Sequence, residues 1–287
     1  MSGTDMQAAV TDMLAGLIQE GIADSGDYID ADTGLLMCGK CQSKKQTVVK
    51  LMGRTMKPSC LCRCRSEELE KEEQKRKDKE LMEGISRLKS AGLQDRTFFG
   101  YTFANCDEVH PCAGYAYRYV GHFAEFQKNG QGLLFWGDVG TGKTFLAGCI
   151  ANALMEKNIP VLMTSFPKLL NALGGLYSGE KNEYLKSLNQ YRLLIIDDLG
   201  VERDTPYVLE TVYLVIDERY KSGKPFIITT NLSLEKLRNP ADLEHGRIYD
   251  RIMERCVPVA FSGKNYRIGR GRANIENASG ILKHETV

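Results

Sequence analysis

The segment Gly137-Asp-Val-Gly-Thr-Gly-Lys-Thr144 decides the fold, because it has the G-x-x-x-x-G-K-[ST] spacing of a phosphate-binding loop. An apolar run, GLLFW (132–136), precedes it, and a helical pattern begins at Lys143. The glycines let successive backbone N–H groups turn towards phosphates, and the start of the helix adds positive potential. We therefore expect a strand, loop and helix that hold the phosphates of a nucleotide.

Each residue of this loop is a candidate for nucleotide contact. Lys143 would contact the β and γ phosphates, and the Thr144 hydroxyl would be a ligand of Mg²⁺. The candidate cofactor-binding residues are Gly137, Asp138, Val139, Gly140, Thr141, Gly142, Lys143, Thr144 and Phe145.

Two adjacent carboxylates follow a second apolar run, Leu193-Leu-Ile-Ile-Asp197-Asp198. Asp197 would lie beside the magnesium ion, while Asp198 would orient the attacking water or accept its proton. Adjacent acids after a strand are weak evidence alone, but these follow Lys143 by about fifty residues with helix, strand and helix between them. On the two motifs alone, a phosphotransferase with a single catalytic carboxylate remains possible.

The rest of this region alternates between strand and helix patterns. Short apolar runs between helices predict an α/β fold, a parallel sheet between two layers of helices. The predicted strands are 132–136, 160–165, 191–197, 225–231 and 257–261, and the predicted helices are 143–157, 167–189, 205–221 and 241–255.

Five of the nine cysteines lie between Cys38 and Cys64. Two groups of thiols about twenty residues apart, around a possible hairpin at Gly53, have the spacing of a structural zinc site. Redox chemistry and ordinary packing are the alternatives. Zinc needs four ligands, and we favour Cys38, Cys41, Cys62 and Cys64, with Cys60 as the substitute.

The chain has 287 residues, of which 43% are hydrophobic and 26% charged, as in an ordinary globular protein. No apolar run approaches the roughly 18 residues of a membrane span, and acidic residues in the first twenty positions argue against a signal peptide. We therefore expect a cytoplasmic protein with no membrane partner.

The net charge of +1 conceals a basic block within the cysteine-rich segment. No acidic residue occurs between Thr33 and Ser66. The same stretch contains eight basic residues: Lys40, Lys44, Lys45, Lys50, Arg54, Lys57, Arg63 and Arg65. Such a surface suits phosphates or the acidic face of a protein.

These patterns predict four segments. Residues 1–64 hold an amphipathic helix over 4–20 and the zinc-binding module, and 65–95 form a charged helical connector. The α/β domain covers 96–272, and 273–287 form a flexible tail.

The motifs FWGDVGTGKT, IIDDLG, FIITTN, RIYDRI and KNYRIGR occur in the order seen in AAA+ ATPases. Over residues 96–272 the sequence resembles the replicative helicase loaders of bacteria and phages, of DnaC/DnaI type, with IstB as a close relative. The resemblance implies an AAA+ P-loop domain that hydrolyses ATP with Mg²⁺.

The resemblance also implies roles for further residues. Asn231 would be the sensor that holds the attacking water, and Arg267 would contact phosphate within its own subunit. Arg251, assisted by Arg247, would be an arginine finger acting on the neighbouring subunit's ATP, so self-association is expected. AAA+ enzymes commonly have Glu where Asp198 stands, and the shorter side chain implies slow hydrolysis that partners stimulate.

The expected function is therefore a helicase loader that binds the replicative hexameric helicase and delivers it to single-stranded DNA. Tyr177, Lys181 and Tyr184 are candidates for DNA contact. One alternative is an IstB-like ATPase that assists a transposase, and another is a zinc-dependent adaptor in which the nucleotide is structural. We expect the weaker cluster of Cys106, His110 and Cys112 to consist of loop or core residues.

Overall fold

The computed structural model describes residues 23–51, 53–106, 110–200 and 205–282. The predicted helix over 4–20 lies outside these ranges. The chain forms two compact units that divide between Leu81 and Met82.

The first unit contains two short antiparallel hairpins. Strand β1 (Tyr28–Ile29) pairs with β2 (Leu36–Met37), and β3 (Val49–Leu51) pairs with β4 (Arg54–Met56). Gly53 makes the turn of the second hairpin with a φ of 75°, in the left-handed region that favours glycine. The hairpin predicted at Gly53 is confirmed.

Helix α1 (Arg63–Gly92) covers the predicted charged connector. Lys77 and Glu73, one turn apart, form an ion pair of 2.8 Å, as their spacing predicts. The division between the two units falls within this helix, whereas the sequence placed the start of the α/β domain at residue 96.

The second unit is built on one parallel sheet, as predicted. Its strands, in the spatial order β6-β7-β8-β5-β9, are β6 (Val161–Ser165), β7 (Leu193–Leu199), β8 (Phe226–Thr230), β5 (Gly132–Gly137) and β9 (Cys256–Phe261). Every neighbouring pair in this sheet is parallel. Because β8 lies between β5 and β7, the carboxyl ends of these three strands meet at one edge, where ligands bind in open α/β sheets.

Nine helices follow α1 in the described part of the chain. They are α2 (Ala113–Gly121), α3 (Phe123–Asn129), α4 (Lys143–Glu156), α5 (Phe166–Gly174), α6 (Ser178–Ser187), α7 (Pro206–Lys221), α8 (Leu234–Arg238), α9 (Leu243–Arg255) and α10 (Tyr266–Leu282). In the described ranges, no helix is long and apolar enough to cross a membrane.

One predicted helix and the predicted tail differ from the structure. The segment predicted as one helix over 167–189 is divided into α5, α6 and a 3-10 turn, because consecutive glycines at 174–175 end the first helix. The segment predicted as a tail from 273 continues α10 as far as Leu282, which fits a stretch with several good helix formers and no proline.

The core of the second unit has two layers, one on each face of the sheet. Leu133 and Phe135 of β5 pack with α2 and α4, whereas Leu134 packs with α5, α7 and α9. This division follows from the alternation of side chains along a strand. The sheet is therefore held between helices, and its carboxyl edge is left for the polar residues of the site.

Candidate nucleotide and metal sites

The phosphate loop leaves β5 in a conformation that requires glycine. Gly137, Gly140 and Gly142 have φ values of 130°, 79° and 94°. A Cβ on Gly137 would lie 2.0 Å from the Phe261 carbonyl oxygen, so there is no space for a larger residue at that position. The loop and the first turn of α4 thus have the backbone geometry that a phosphate cradle needs.

Lys143 begins α4 and is almost fully buried. Its Nζ donates to the carbonyl oxygens of Gly137 at 2.8 Å and Asp138 at 2.6 Å. Burial lowers the pKa of the lysine, and the nearby Asp198 and Asp197 carboxylates oppose this effect. The ammonium group is therefore held inside the loop by carbonyl contacts that a phosphate can replace.

The two candidate magnesium ligands lie together. The Thr144 hydroxyl donates to Asp197 Oδ1 at 2.9 Å, and Thr229 of β8 donates to the same oxygen at 2.5 Å. Burial raises the pKa of Asp197 to about 6, against the effect of these hydrogen bonds. A buried carboxylate beside a threonine hydroxyl is a donor set that suits Mg²⁺.

Asp198 occupies a bulge of β7. Its φ is 60°, which is uncommon for a residue other than glycine, and the pairing with β8 shifts between Ile196 and Leu199. The backbone N–H of Asp198 donates to Thr229 Oγ1 at 3.0 Å. As a result, Asp198 lines the pocket above the phosphate loop.

A single pocket of about 470 Å³ collects most of the predicted site. This is within the usual range for pockets that bind small molecules and cofactors. Lys143, Thr144, Asp198, Asn231 and Arg267 all line it, so residues from β7, α4 and α10 and the residue that follows β8 are brought to one place. Tyr101, Asn105 and Cys106 line the side formed by the segment before α2, which the sequence analysis did not assign to the site.

A contact between His110 and the phosphate loop was not predicted from the sequence. The buried ring accepts the backbone N–H of Cys112 at Nδ1 (3.1 Å), so Nε2 carries the proton and donates to the Thr141 carbonyl at 2.6 Å. The ring also packs against Tyr266. A lone histidine gives no sequence signal for such a contact. Cys112 itself is buried, as expected for a core residue.

The predicted arginine finger is held within its own chain. Arg251 pairs with Asp217 through Nε (3.0 Å) and Nη2 (2.9 Å) and also donates to the Tyr213 hydroxyl. Neither Arg251 nor Arg247 lines the pocket described above, and Arg247 is exposed. Within one chain, therefore, these arginines are separate from the phosphate loop.

The four favoured cysteines of the first unit form a compact cluster. The Sγ atoms of Cys38, Cys41, Cys62 and Cys64 all lie within 4.8 Å of one another, whereas Cys60 is exposed and outside the group. The Cys38–Cys64 and Cys62–Cys64 sulfur distances are 3.6 and 3.4 Å. Tetrahedral zinc with bonds of about 2.3 Å requires sulfur–sulfur distances of roughly 3.8 Å, so this group fits zinc.

The surroundings of the cluster favour thiolates at two positions. The Ser43 hydroxyl, 3.1 Å from Cys41 Sγ, is the main reason that the pKa of Cys41 is lowered to about 5. Backbone N–H groups lower the pKa of Cys38, while hydrogen bonding to the neighbouring thiols raises that of Cys64. A bound dication would stabilise the thiolate form at all four sulfurs.

The candidate DNA-contact residues differ in exposure. Tyr177 is 83% exposed. Lys181 lies 5.2 Å from the centre of the Tyr207 ring. Lys181 and Tyr184 are both partly buried, and Tyr184 also packs against the core, so Tyr177 offers the most accessible surface for stacking.

This fold and pocket define a P-loop nucleotide-binding protein of the AAA+ class. More specifically, the chain belongs to the family of IstB-like ATP binding proteins, whose family model matches residues 64–273. The family match covers the whole sheet and the entire phosphate loop.

Two curated relatives carry a replication name. The replicative helicase loader DnaI of Bacillus subtilis (strain 168) is 26% identical over 196 residues, which are 63% of this chain and 63% of the relative. The replicative helicase loader DnaC of Escherichia coli (strain K12) is 30% identical over 147 residues, 50% of this chain and 59% of the relative. The chain thus spans less than two thirds of the length of either relative.

A solved structure supports the fold. The crystal structure of DnaI matches with a TM-score of 0.50 and 24% sequence identity, over 60% of this chain and 94% of the solved one.

Proposed function

We propose that this protein is an ATP-dependent loader that binds the replicative hexameric helicase and delivers it to single-stranded DNA during replication initiation. The observation that supports this proposal most is that four residues lie close together at the carboxyl edge of the sheet: Lys143, Thr144, Asp197 and Asp198. The similarity to the DnaI and DnaC loaders directs that nucleotide chemistry towards helicase loading.

The chemistry proposed for the pocket is hydrolysis of ATP to ADP and phosphate. Lys143 would exchange its loop carbonyls for the β and γ phosphates, and Thr144 with Asp197 would hold Mg²⁺. Asp198 would orient the attacking water and take its proton, with Asn231 beside it. Arg267 would neutralise phosphate charge from the α10 side of the pocket.

Self-association completes the proposed site. Arg251 and Arg247 lie on α9 and do not line the pocket of their own chain. We propose that Arg251 acts on ATP held by a neighbouring subunit, with Asp217 and Tyr213 holding its side chain in position. Hydrolysis would then be slow in the isolated monomer and faster in an assembly with partners.

The cysteine cluster would hold a structural zinc ion and stabilise a basic module that docks onto the helicase. Zinc supplies folding energy in small modules of this kind. The hairpin of β3 and β4 carries Lys50 and Arg54, and the surrounding acid-free sequence would favour an acidic partner surface. We propose domain limits of 1–64 for this module with its N-terminal helix, 65–95 for the connector and 96–272 for the ATPase.

Contact with single-stranded DNA is proposed for Tyr177 and Lys181 at the start of α6. The exposed Tyr177 ring could stack on a base, and Lys181, one helical turn further on, could contact a phosphate. Loss of single-strand affinity in Tyr177→Ala, with unchanged affinity in Tyr115→Ala as an exposed control on α2, would support this assignment. Equal affinity in both variants would remove Tyr177 from the proposed DNA surface.

A pull-down with purified replicative helicase tests the proposal as a whole. We expect a stable complex with the hexamer, and ATP hydrolysis that rises when single-stranded DNA is added. Failure to bind a replicative helicase from the same cell, together with capture of a transposase, would instead support the IstB-like role that the family name suggests. Helicase binding without any ATP hydrolysis would indicate an adaptor with a structural nucleotide.

A further inference from the structure

Asp197 and Asp198 are neighbours in one strand, which creates a geometric difficulty. Successive side chains of a regular strand point to opposite faces of the sheet, so two adjacent carboxylates are directed away from each other. Here Asp197 bonds with Thr144, and Asp198 lines the pocket on the same edge. Some feature must therefore turn one residue relative to the other.

The bulge in β7 supplies that turn. From Ile196 to Leu199 this strand advances three residues, while its partner β8 advances two, from Ile228 to Thr230. The extra residue leaves Asp198 with its left-handed φ of 60°. Bulges commonly re-aim a side chain next to an active site.

One hydroxyl group contacts both acidic residues at this bulge. Thr229 lies on β8 and is fully buried, with an exposed fraction of 0%. Its Oγ1 accepts the backbone N–H of Asp198 at 3.0 Å and donates to Asp197 Oδ1 at 2.5 Å. The donor and acceptor capacity of one threonine hydroxyl thus joins the backbone of one acid to the carboxylate of the other.

We propose that Thr229 is a positioning residue that sets the two carboxylates in their separate roles. Its hydroxyl orients Asp197 towards Thr144 and fixes the bulge that turns Asp198 into the pocket. This inference rests on the proposed magnesium and ATP chemistry of that pocket. Because Asn231 directly follows the strand that contains Thr229, β8 would position the water sensor and both acids together.

A test needs variants that remove only this hydroxyl. Thr229→Val keeps the shape of the side chain but leaves the Asp198 amide without its acceptor, whereas Thr229→Ser keeps the hydroxyl. Thr164→Val is the matched control, since Thr164 of β6 is equally buried and its hydroxyl bonds Gln94 rather than either acid. All three variants are compared with the full-length wild-type protein.

The first measurement is the Mg²⁺ concentration that half-saturates ATP hydrolysis, with kcat and KM for ATP. Loss of such an outer hydrogen bond to a metal ligand typically weakens metal binding or activity by 10–100-fold. We expect Thr229→Val to require about tenfold more Mg²⁺ and to lower kcat about tenfold, with little change in KM, and Thr229→Ser to recover most of both. Equal behaviour of Thr229→Val and Thr164→Val would overturn the inference.

The second measurement is amide hydrogen exchange of Asp198 without nucleotide, which does not depend on the proposed activity. We expect at least about tenfold faster exchange in Thr229→Val and unchanged exchange in Thr164→Val. Should the wild type show no ATP hydrolysis, the proposed function fails, and this measurement still decides whether Thr229 holds the bulge. Unchanged exchange in Thr229→Val would contradict the positioning role.

Discussion

The Thr144 hydroxyl and the Asp197 carboxylate are hydrogen bonded at 2.9 Å although the two residues are 53 positions apart. The contact joins the first turn of α4, which follows β5, to the carboxyl-terminal part of β7. In the sheet, β8 lies between β5 and β7. It places the hydroxyl and carboxylate that suit Mg²⁺ directly beside the phosphate loop.

Replacement of Lys143 by alanine should remove most of the affinity for ATP. The ammonium group is the cation nearest the loop carbonyls that phosphates would displace, so affinity should fall at least about tenfold, or 1.4 kcal/mol. Isothermal titration with ATP and Mg²⁺ measures this. Lys157→Ala is the control, because Lys157 follows the other end of α4 and its Nζ bonds the Val120 carbonyl. Similar affinities for both variants would contradict the assignment of the loop.

Replacement of Asp197 by asparagine should stabilise the protein at neutral pH in the absence of added magnesium. Burial raises the pKa of this carboxyl from 3.8 to about 6, so its ionisation opposes folding above pH 6 and has no effect below pH 3.8. A shift of this size corresponds to at most about 3 kcal/mol, and the advantage of the variant should shrink as pH falls from 6 to 4.

Urea unfolding followed by Trp136 fluorescence measures this effect. Trp136 is the only tryptophan of the chain and lies in β5, so its signal reports on the unit that contains Asp197. A difference in stability between variant and wild type that stays constant from pH 4 to pH 8 would show that Asp197 is not a buried ionised group.

Mixing two inactive variants should restore hydrolysis if Arg251 acts between subunits. Asp198→Asn lacks the proposed base but keeps the arginine, and Arg251→Ala has the opposite defect. In a random mixture, about one site in four would combine an intact Asp198 with an intact neighbouring arginine, so roughly a quarter of wild-type activity is expected. A mixture as inactive as its components would argue against a finger supplied by a neighbouring subunit.

The arginine variants also need a check on folding. Arg251 donates to the buried carboxylate of Asp217, which keeps Lys221 as a second partner, so loss of the arginine should lower the free energy of unfolding by about 1.5–3 kcal/mol. Arg247 is exposed, and Arg247→Ala should change stability by less than about 0.5 kcal/mol. Comparison of both variants separates a loss of hydrolysis from a loss of folded protein.

Zinc content should depend on four cysteines and not on the fifth. We expect one zinc ion per chain in the wild type and in Cys60→Ser, because Cys60 lies outside the cluster. Cys41→Ser or Cys62→Ser should lose most of the metal and unfold the first unit, since thiolate ligands supply its folding energy. Atomic absorption with circular dichroism measures both effects. Full zinc occupancy in Cys41→Ser would disprove the ligand set.

The sequence predicted those features that depend on local patterns. The strands of the parallel sheet were expected from their apolar runs, and the phosphate loop from its glycines and Lys143. The four clustered cysteines were favoured from their spacing alone.

Other features arise from contacts between distant segments and leave no local signal. Nothing around His110 indicates that its ring reaches the Thr141 carbonyl, and nothing around Thr229 indicates that its hydroxyl joins two acids of another strand. The end of the first helix within 167–189 could have been predicted, because two consecutive glycines occur at 174–175. Strand order likewise follows from how the helices pack rather than from any one segment.

The most direct test of the loader role is delivery of purified replicative helicase onto circular single-stranded DNA coated with single-strand binding protein. We expect the wild-type protein with ATP and Mg²⁺ to place the helicase on the circles, where it unwinds an annealed oligonucleotide, and we expect no unwinding with Lys143→Ala. Unwinding that is the same with and without the wild-type protein, or the same with Lys143→Ala, would contradict the loader role.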